Sequence, residues 1–284
     1  MPRLVKLFWN HMDAWGLTLM IGGGCLLLHD QFTALGVALV IAITLVYWLG
    51  FAVNDYFDAP MDALDSKKAT GNPFVGVSQR ELYGFILVGG MILALVALFF
   101  FSFGWRGVVV TALGSIIVFG YSAPPLRLKS RPGFDLLTHA VFVESFPYFV
   151  CLFLLDITWT PLDRALLSVF LLASLAAQLE QQARDYELDR RSETNFTVRF
   201  GRHTTLLLLK IITALLILVG SGYLLAGVFP VLMIPFGLIL LPVLLHRFMR
   251  GPDTPRSEQL VRTTLLAAMA YAGVLVIVIR APAW

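Results

Sequence analysis

Apolar runs near the length of a bilayer crossing recur along the whole chain, each closed by a short cluster of charge, glycine or proline. Taking those breaks as helix ends, the pattern predicts nine helices at about 12–28, 32–53, 83–103, 106–121, 134–155, 162–182, 204–227, 229–246 and 260–280. A crossing needs about 20 predominantly apolar residues, and no polar stretch is long enough to make a separate soluble domain. The first run, about Trp15 to Leu28, lacks a small-residue cleavage site and is followed by further runs, so it is read as a retained helix and not a signal peptide. The expected fold class is an all-α integral membrane protein, with one nine-helix domain over residues 1–284.

Composition strengthens that reading. The chain is 58% hydrophobic and 14% charged, with a mean hydropathy of +0.81, whereas soluble domains carry about 25% charged residues. A water-soluble fold is excluded. Of the 21 Lys and Arg, 17 gather in the N-terminal tail and around the connections after the second, fourth, sixth and eighth helices. Arg106, Arg164 and Arg280 flank the other side, and Lys210 lies just inside a helix. The positive-inside rule then places the N-terminus and those connections in the cytoplasm and the C-terminus outside, in a bacterial or archaeal inner membrane. A net charge of +3 without a basic stripe argues against nucleic acid as a partner. Cys25 and Cys151 lie in apolar runs without CxxC spacing, which supports neither a disulfide framework nor a zinc site. Oligomeric state has no signature in the sequence.

The candidate chemistry sits in the two longest cytoplasmic connections, where long loops usually carry function. After the second helix comes Asn54-Asp55-Tyr56-Phe57-Asp58-Ala59-Pro60-Met61-Asp62. Its aspartates are spaced i, i+3, i+7, which on a helix puts three carboxylates on one face. Pro60 cannot donate into a helix interior, so a kink is expected there, with Asp62 starting a new turn. At the end of the sixth helix lie Gln178, Glu180, Gln181, Gln182, Arg184, Asp185, Tyr186, Glu187, Asp189, Arg190 and Arg191. Asp185 and Asp189, at i, i+4, again share a face. An even number of helices separates the clusters, so both return to the same side and can face each other.

Carboxylates at helical spacing repel and are costly near a membrane, so a cation should compensate them. Oxygen donors without a matching His or Cys suit a hard ion that keeps waters and bridges to substrate phosphates, which describes Mg2+. Lys67, Lys68, Arg127, Lys129, Arg131, Arg190, Arg191, Arg199 and Arg202 are near enough in sequence to neutralise diphosphate oxygens. Phe57, Tyr121, Phe142, Phe146, Tyr148 and Phe149 offer aromatic faces that can shield a carbocation.

Asn54-Asp55-x-x-Asp58-x-x-x-Asp62 and Asp185-x-x-x-Asp189 resemble the paired aspartate motifs of the UbiA superfamily of intramembrane prenyltransferases. The segments Tyr121-Ser122-Ala123-Pro124-Pro125-Leu126-Arg127-Leu128-Lys129 and Asp189-Arg190-Arg191 resemble it too, and the likeness extends over essentially the whole chain. It implies nine helices around a central cavity, open laterally to membrane lipid. It also implies two Mg2+ ions bridging an isoprenoid diphosphate to Asp55, Asp58, Asp62, Asp185 and Asp189, with Asn54 positioning the diphosphate. Lys68, Arg127 and Lys129 match places where the family uses basic residues, and Arg190 joins them as a diphosphate-binding candidate. The implied activity is Mg2+-dependent prenyl transfer to a lipophilic acceptor such as a quinone precursor, a carotenoid or another lipid. Cyclisation of the prenyl diphosphate without an acceptor is the alternative. Two stretches depart from the family pattern: Thr70-Gly71-Asn72-Pro73 lacks the usual arginine, and Ser192-Glu193-Thr194-Asn195-Phe196-Thr197 lacks the usual Gly and Lys.

Other residues keep blander readings open. Asp65 reads equally as a solvated carboxylate, a partner of lysine or a ligand, and Glu187 as a surface group. The five histidines read as structural, and Gly22-Gly23-Gly24 as a close helix contact. Glu144, ionisable within an apolar run, either orients an acceptor, stabilises a carbocation or pairs with another helix. A transporter is the competing class, but it would place its charges nearer midplane with inverted repeats.

Overall fold

The computed structural model describes residues 2–190, 194–251, 254 and 256–280, with the backbone alone at Pro2, Lys67, Val276, Ile277, Ile279 and Arg280. All regular structure among them is helical, and the chain gathers into two compact units, 1–158 and 159–284. The first holds α1 (Pro2–Asn10), α2 (Met12–Leu28), α3 (Ala34–Asp62), α4 (Ser66–Gly71), α5 (Gln79–Phe101), α6 (Trp105–Gly120), α7 (Phe134–Ala140) and α8 (Phe146–Leu154). A π-helical segment, Val141–Ser145, joins α7 to α8. The second holds α9 (Pro161–Asp189), α10 (Phe196–Phe200), α11 (Arg202–Leu225), α12 (Ile234–Met249) and α13 (Glu258–Arg280).

Each predicted apolar stretch falls on a helix. Among the described residues, six helical segments are long and apolar enough to cross a membrane, or seven if α1 and α2, bent by 58°, count as one. The sequence reading counts nine. Part of the difference lies in α2 and α6, which have only 17 and 16 residues.

The boundaries move for identifiable reasons. Helix α5 begins at Gln79, ahead of the predicted 83, because Ser78 and Glu81 form a reciprocal capping box that satisfies its first N–H groups. Thr160 and Asp163 do the same for α9, with Pro161 in the first turn. Helix α3 does not break at Pro60 but continues to Asp62. Proline forfeits one intrahelical bond there, and so near the helix end little is lost. Both aspartate clusters therefore lie on the last turns of long helices and not in loops.

Much of the exterior is apolar. On α5, Ile86, Leu87, Leu95 and Leu98 are each more than 60% exposed, a surface that suits hydrocarbon and would be costly in water. Close packing of α2 on α3 depends on Gly22 alone of the three consecutive glycines. A Cβ there would meet a Val40 methyl at 2.9 Å, while Gly23 and Gly24 have open space.

Helix α1, amphipathic and too short to register as an apolar run, is missed by the sequence reading, as are the short helices α4 and α10. Leu7 is buried at its centre with Trp48, Leu49 and Phe74. Its polar residues grip the end of α4 and the segment after it: Arg3 donates to the carbonyls of Pro73 (2.8 Å), Val75 (3.2 Å) and Gly76 (3.1 Å), Asn10 donates to Gly71 (2.7 Å), and Lys6 to Thr70. Hydrogen bonds from a charged donor contribute about 1.5–3 kcal/mol. Arg3→Met is therefore expected to raise the rate of limited proteolysis within 70–76 by ~10-fold, since about 1.4 kcal/mol is a factor of ten in an opening equilibrium. An unchanged cleavage rate would show that α1 does not hold this segment.

Candidate active site

The end of α3 carries the first cluster, and every carboxylate in it has its own partner. Asp55 Oδ2 lies 2.8 Å from His11 Nε2, and both side chains are less than one-fifth exposed. His11 also stacks on Phe51, with ring centroids 4.8 Å apart. Asp58 pairs with the Lys129 ammonium. The same ammonium donates to Asn54 Oδ1 at 3.0 Å, and Ser122 Oγ donates to that oxygen at 2.7 Å. Asp62 Oδ2 accepts from Asn72 Nδ2 at 2.9 Å, and Asn72 Nδ2 also donates to the Asp55 carbonyl at 2.7 Å.

Lys129 reaches the cluster because the chain turns sharply after α6. A cis Pro124–Pro125 bond and a left-handed Arg127 (φ 38°) precede a single 3-10 turn at Leu128–Ser130. The Lys129 N–H also donates to the Tyr121 carbonyl at 3.1 Å, which fixes the base of its side chain. Arg127 is half-buried in this turn, and Lys68, on α4, is exposed. Asp65 has a structural task, accepting the Lys68 backbone N–H at 2.9 Å to cap α4.

The second cluster, on the last turns of α9, belongs to the other unit. Asp185 accepts two bonds from its neighbour Arg184, at 2.9 and 3.1 Å. Asp189 Oδ2 accepts from Asn195 Nδ2 at 2.8 Å. Behind them, Gln182 Oε1 accepts the Thr197 N–H (3.2 Å) and hydroxyl (2.9 Å), and Thr205 donates to Thr197 Oγ1 at 3.0 Å. This buried polar network ties α9 to α10 and α11. Glu187 pairs with Arg190 at 3.1 Å on the surface, as its sequence position suggests. Glu180 is 4% exposed and bonded to Arg247 (2.8 Å) and Arg250 (3.0 Å), so it braces α9 to the end of α12. Arg191, Ser192 and Glu193, considered in the sequence, lie outside the described residues, as does the side chain of Lys67.

Among the described residues, no three Asp, Glu, His or Cys side chains converge to hold an ion. In the first unit the carboxylates are distributed among His11, Lys129 and Asn72. Of the aromatic candidates, Phe57 packs edge-on against Tyr56 at 5.1 Å and Tyr121 lies at the turn that carries Lys129. Phe142, Phe146, Phe149 and Phe153 form a ladder along the π segment and α8, with successive centroids 4.7, 6.2 and 5.4 Å apart. Tyr148, at 1% exposure, is core packing. The half-buried Glu144 lies on the π segment, whose Phe142 carbonyl accepts the Tyr47 hydroxyl. Such single-turn π segments frequently mark functional sites.

The sequence reading did not assign His11, Asn72, Ser122 or Asn195 to the site. No spacing rule links His11 to Asp55, 44 residues away, or Ser122 to Asn54, 68 residues away. Asn72 and Asn195 do fall in the two stretches that depart from the family pattern, which is the signal that was available.

The UbiA prenyltransferase family model matches residues 15–278. A lycopene elongase/hydratase from Haloarcula japonica is 30% identical over 117 residues, which is 40% of this chain and 38% of that protein. This match therefore spans well under half the relative's length. A UbiA homologue from Archaeoglobus fulgidus bound to DMAPP and Mg2+ superposes with a TM-score of 0.72 at 19% identity, covering 96% of this chain and 99% of the other. The same homologue bound to GPP and Mg2+ gives 0.70 at 17% identity, with the same coverage. These likenesses establish the fold.

Proposed function

This chain belongs to the UbiA prenyltransferase family, and on that premise we propose that it transfers a prenyl group from an isoprenoid diphosphate to a lipophilic acceptor within the membrane, with Mg2+ as cofactor. The observation that carries the reading is that two long apolar helices, α3 and α9, each end in an aspartate cluster whose side chains offer oxygen donors only. Mg2+ is commonly held by one or two carboxylates, with water and substrate phosphate oxygens completing its octahedron. That demand is smaller than three converging carboxylates. Asp62 and Asp189, each with one carboxylate oxygen oriented by an asparagine, fit it.

In this reading, Asp55, Asp58 and Asp62 hold metal from the first unit and Asp185 and Asp189 from the second. When bound there, magnesium supplies charge neutralisation and Lewis acidity for the departing diphosphate. Asn54 orients the diphosphate, while Lys68, Arg127, Lys129 and Arg190 are its cationic contacts. Lys129 must exchange Asp58 for a phosphate oxygen, and Arg190 must leave Glu187. The allylic C–O bond breaks with its electron pair leaving on the diphosphate. A carbon bond to the acceptor then forms, and the acceptor gives up a proton. Phe142, Phe146 and Phe149 present π faces to the cation, and apolar walls keep water from quenching it. The N-terminus and both cluster-bearing helix ends are assigned to the cytoplasmic side of a bacterial or archaeal inner membrane.

Because one relative is a lycopene elongase/hydratase, lycopene is the first acceptor to supply. Detergent-purified protein given allylic diphosphates of increasing length is expected to release diphosphate only with Mg2+, and to yield a prenylated acceptor by mass spectrometry. A product formed without acceptor would replace transfer by cyclisation. Absence of diphosphate release from every donor, with lycopene or a quinone precursor present, would overturn the proposal.

A further inference from the structure

Both aspartate clusters are finished by the same side-chain arrangement. Asp62 ends α3, and ten residues on Asn72 Nδ2 donates to its Oδ2 at 2.9 Å. Asp189 ends α9, and six residues on Asn195 Nδ2 donates to its Oδ2 at 2.8 Å. Each asparagine is buried, 7% and 5% exposed. Each also uses its own carbonyl oxygen to accept a backbone N–H just ahead, from Phe74 at 2.8 Å and from Val198 at 2.9 Å. The amide planes are thus fixed from both ends, and their orientation follows from the network: the oxygen must face the N–H and the nitrogen must face the carboxylate.

Ending a helix or turning a loop does not require this. Serine and threonine accept the same backbone N–H in caps and turns. An asparagine adds a donor one atom farther out, aimed at a carboxylate. A carboxylate with one oxygen held in this way loses rotational freedom and presents its other oxygen in a fixed direction. Outer-shell partners of this kind orient metal ligands, and their loss typically costs about 10–100-fold in metal affinity.

We propose that Asn72 and Asn195 are positioning residues, one in each unit, each of which orients the aspartate of its own unit, Asp62 or Asp189, for holding a divalent cation. The inference rests on the metal-dependent reading above. It differs from a purely structural role in that the amide donor, and not the cap, is what matters.

Asn72→Ser and Asn195→Ser keep the acceptor for the backbone N–H and remove the reach to the aspartate. Asp62→Ala and Asp189→Ala serve as references. The full chain in detergent is titrated with Mn2+ and followed by electron paramagnetic resonance, in the presence of a non-ionising thio analogue of geranyl diphosphate. Mg2+-dependent diphosphate release is measured in parallel. Each serine variant is expected to need about 10–100-fold more metal for half-saturation in both assays, with kcat at saturating metal within a few-fold of the parent; the melting temperature should hold in Asn195→Ser and fall slightly in Asn72→Ser, which also loses the bond to the Asp55 carbonyl. If a serine variant folds poorly, threonine, also a good cap, replaces it. Unchanged metal half-saturation in the serine variants, beside lost Mn2+ binding in the alanine variants, would overturn the inference. Mn2+ binding that survives in both alanine variants would instead refute the metal assignment on which it rests.

Discussion

Asp55→Ala and Asp185→Ala are each expected to lower the rate of Mg2+-dependent diphosphate release by about 100- to 1,000-fold, the loss typical when one group stabilising developing charge is removed. The two residues lie in different units, on α3 and α9, and neither is deeply buried: their side chains are 13% and 29% exposed. Asp185→Ala strands no buried partner, so its melting temperature should stay near the parent value, whereas Asp55→Ala leaves the largely buried His11 without its carboxylate and should lower the midpoint modestly. Asp55 is the more constrained of the two, with its carboxylate on His11 and its carbonyl on Asn72. Asp185 pairs with its exposed neighbour Arg184. Asp156→Asn is the control, since Asp156 is 77% exposed and paired with Arg106, neither of which has a part in the site; it should release diphosphate at the parent rate. Initial rates across a Mg2+ titration decide the matter. If one aspartate variant loses activity and the other does not, only the affected cluster takes part in ionisation.

What could be read in the sequence follows from which physical constraints are local. Lipid demands long apolar runs, and their ends are marked by charge and proline, so the positions of the helices are legible, but α3 and α9 continue through polar residues to Asp62 and Asp189, well past the expected ends at 53 and 182. Helical spacing likewise fixed the faces of Asp55, Asp58 and Asp62, and of Asp185 and Asp189. Helix caps were accessible in principle, since Ser78 with Glu81 and Thr160 with Asp163 are local pairs, but apolar periodicity alone starts α5 too late. The new turn expected at Asp62 overstated what one missing N–H does near a helix end, since α3 runs through Pro60 to Asp62. Partners set by tertiary structure could not be read at all. His11 on Asp55, Lys129 on Asp58 and Arg247 on Glu180 join residues 44, 71 and 67 positions apart. Helix α1 escaped because nine residues of mixed polarity give no run to detect.

Glu180 illustrates the same limit and leads to the largest expected effect on stability. In sequence it belongs with the acidic cluster of α9; in the structure it is 4% exposed and shared between Arg247 and Arg250. Arg247 also lies 3.4 Å from the Thr213 hydroxyl, so the group joins α9, α11 and α12. One carboxylate between two buried guanidiniums leaves a net positive charge whose cost is contained only while the carboxylate is present. Removing one partner of a buried ion pair typically costs about 3–5 kcal/mol, because the remaining charge is left uncompensated. Glu180→Ala should therefore lower the unfolding midpoint of detergent-solubilised protein strongly. A Glu180→Met, Arg247→Leu, Arg250→Leu triple variant should recover most of the loss, since apolar replacement of a whole buried ion group is often neutral or stabilising. Glu180 braces the helix and does not touch the diphosphate in this reading, so the Mg2+ requirement of Glu180→Ala, measured well below its unfolding midpoint, should match the parent. An unfolding midpoint that Glu180→Ala leaves unmoved would mean that the two arginines find other partners. A large rise in its Mg2+ requirement would place Glu180 with the metal-binding aspartates after all.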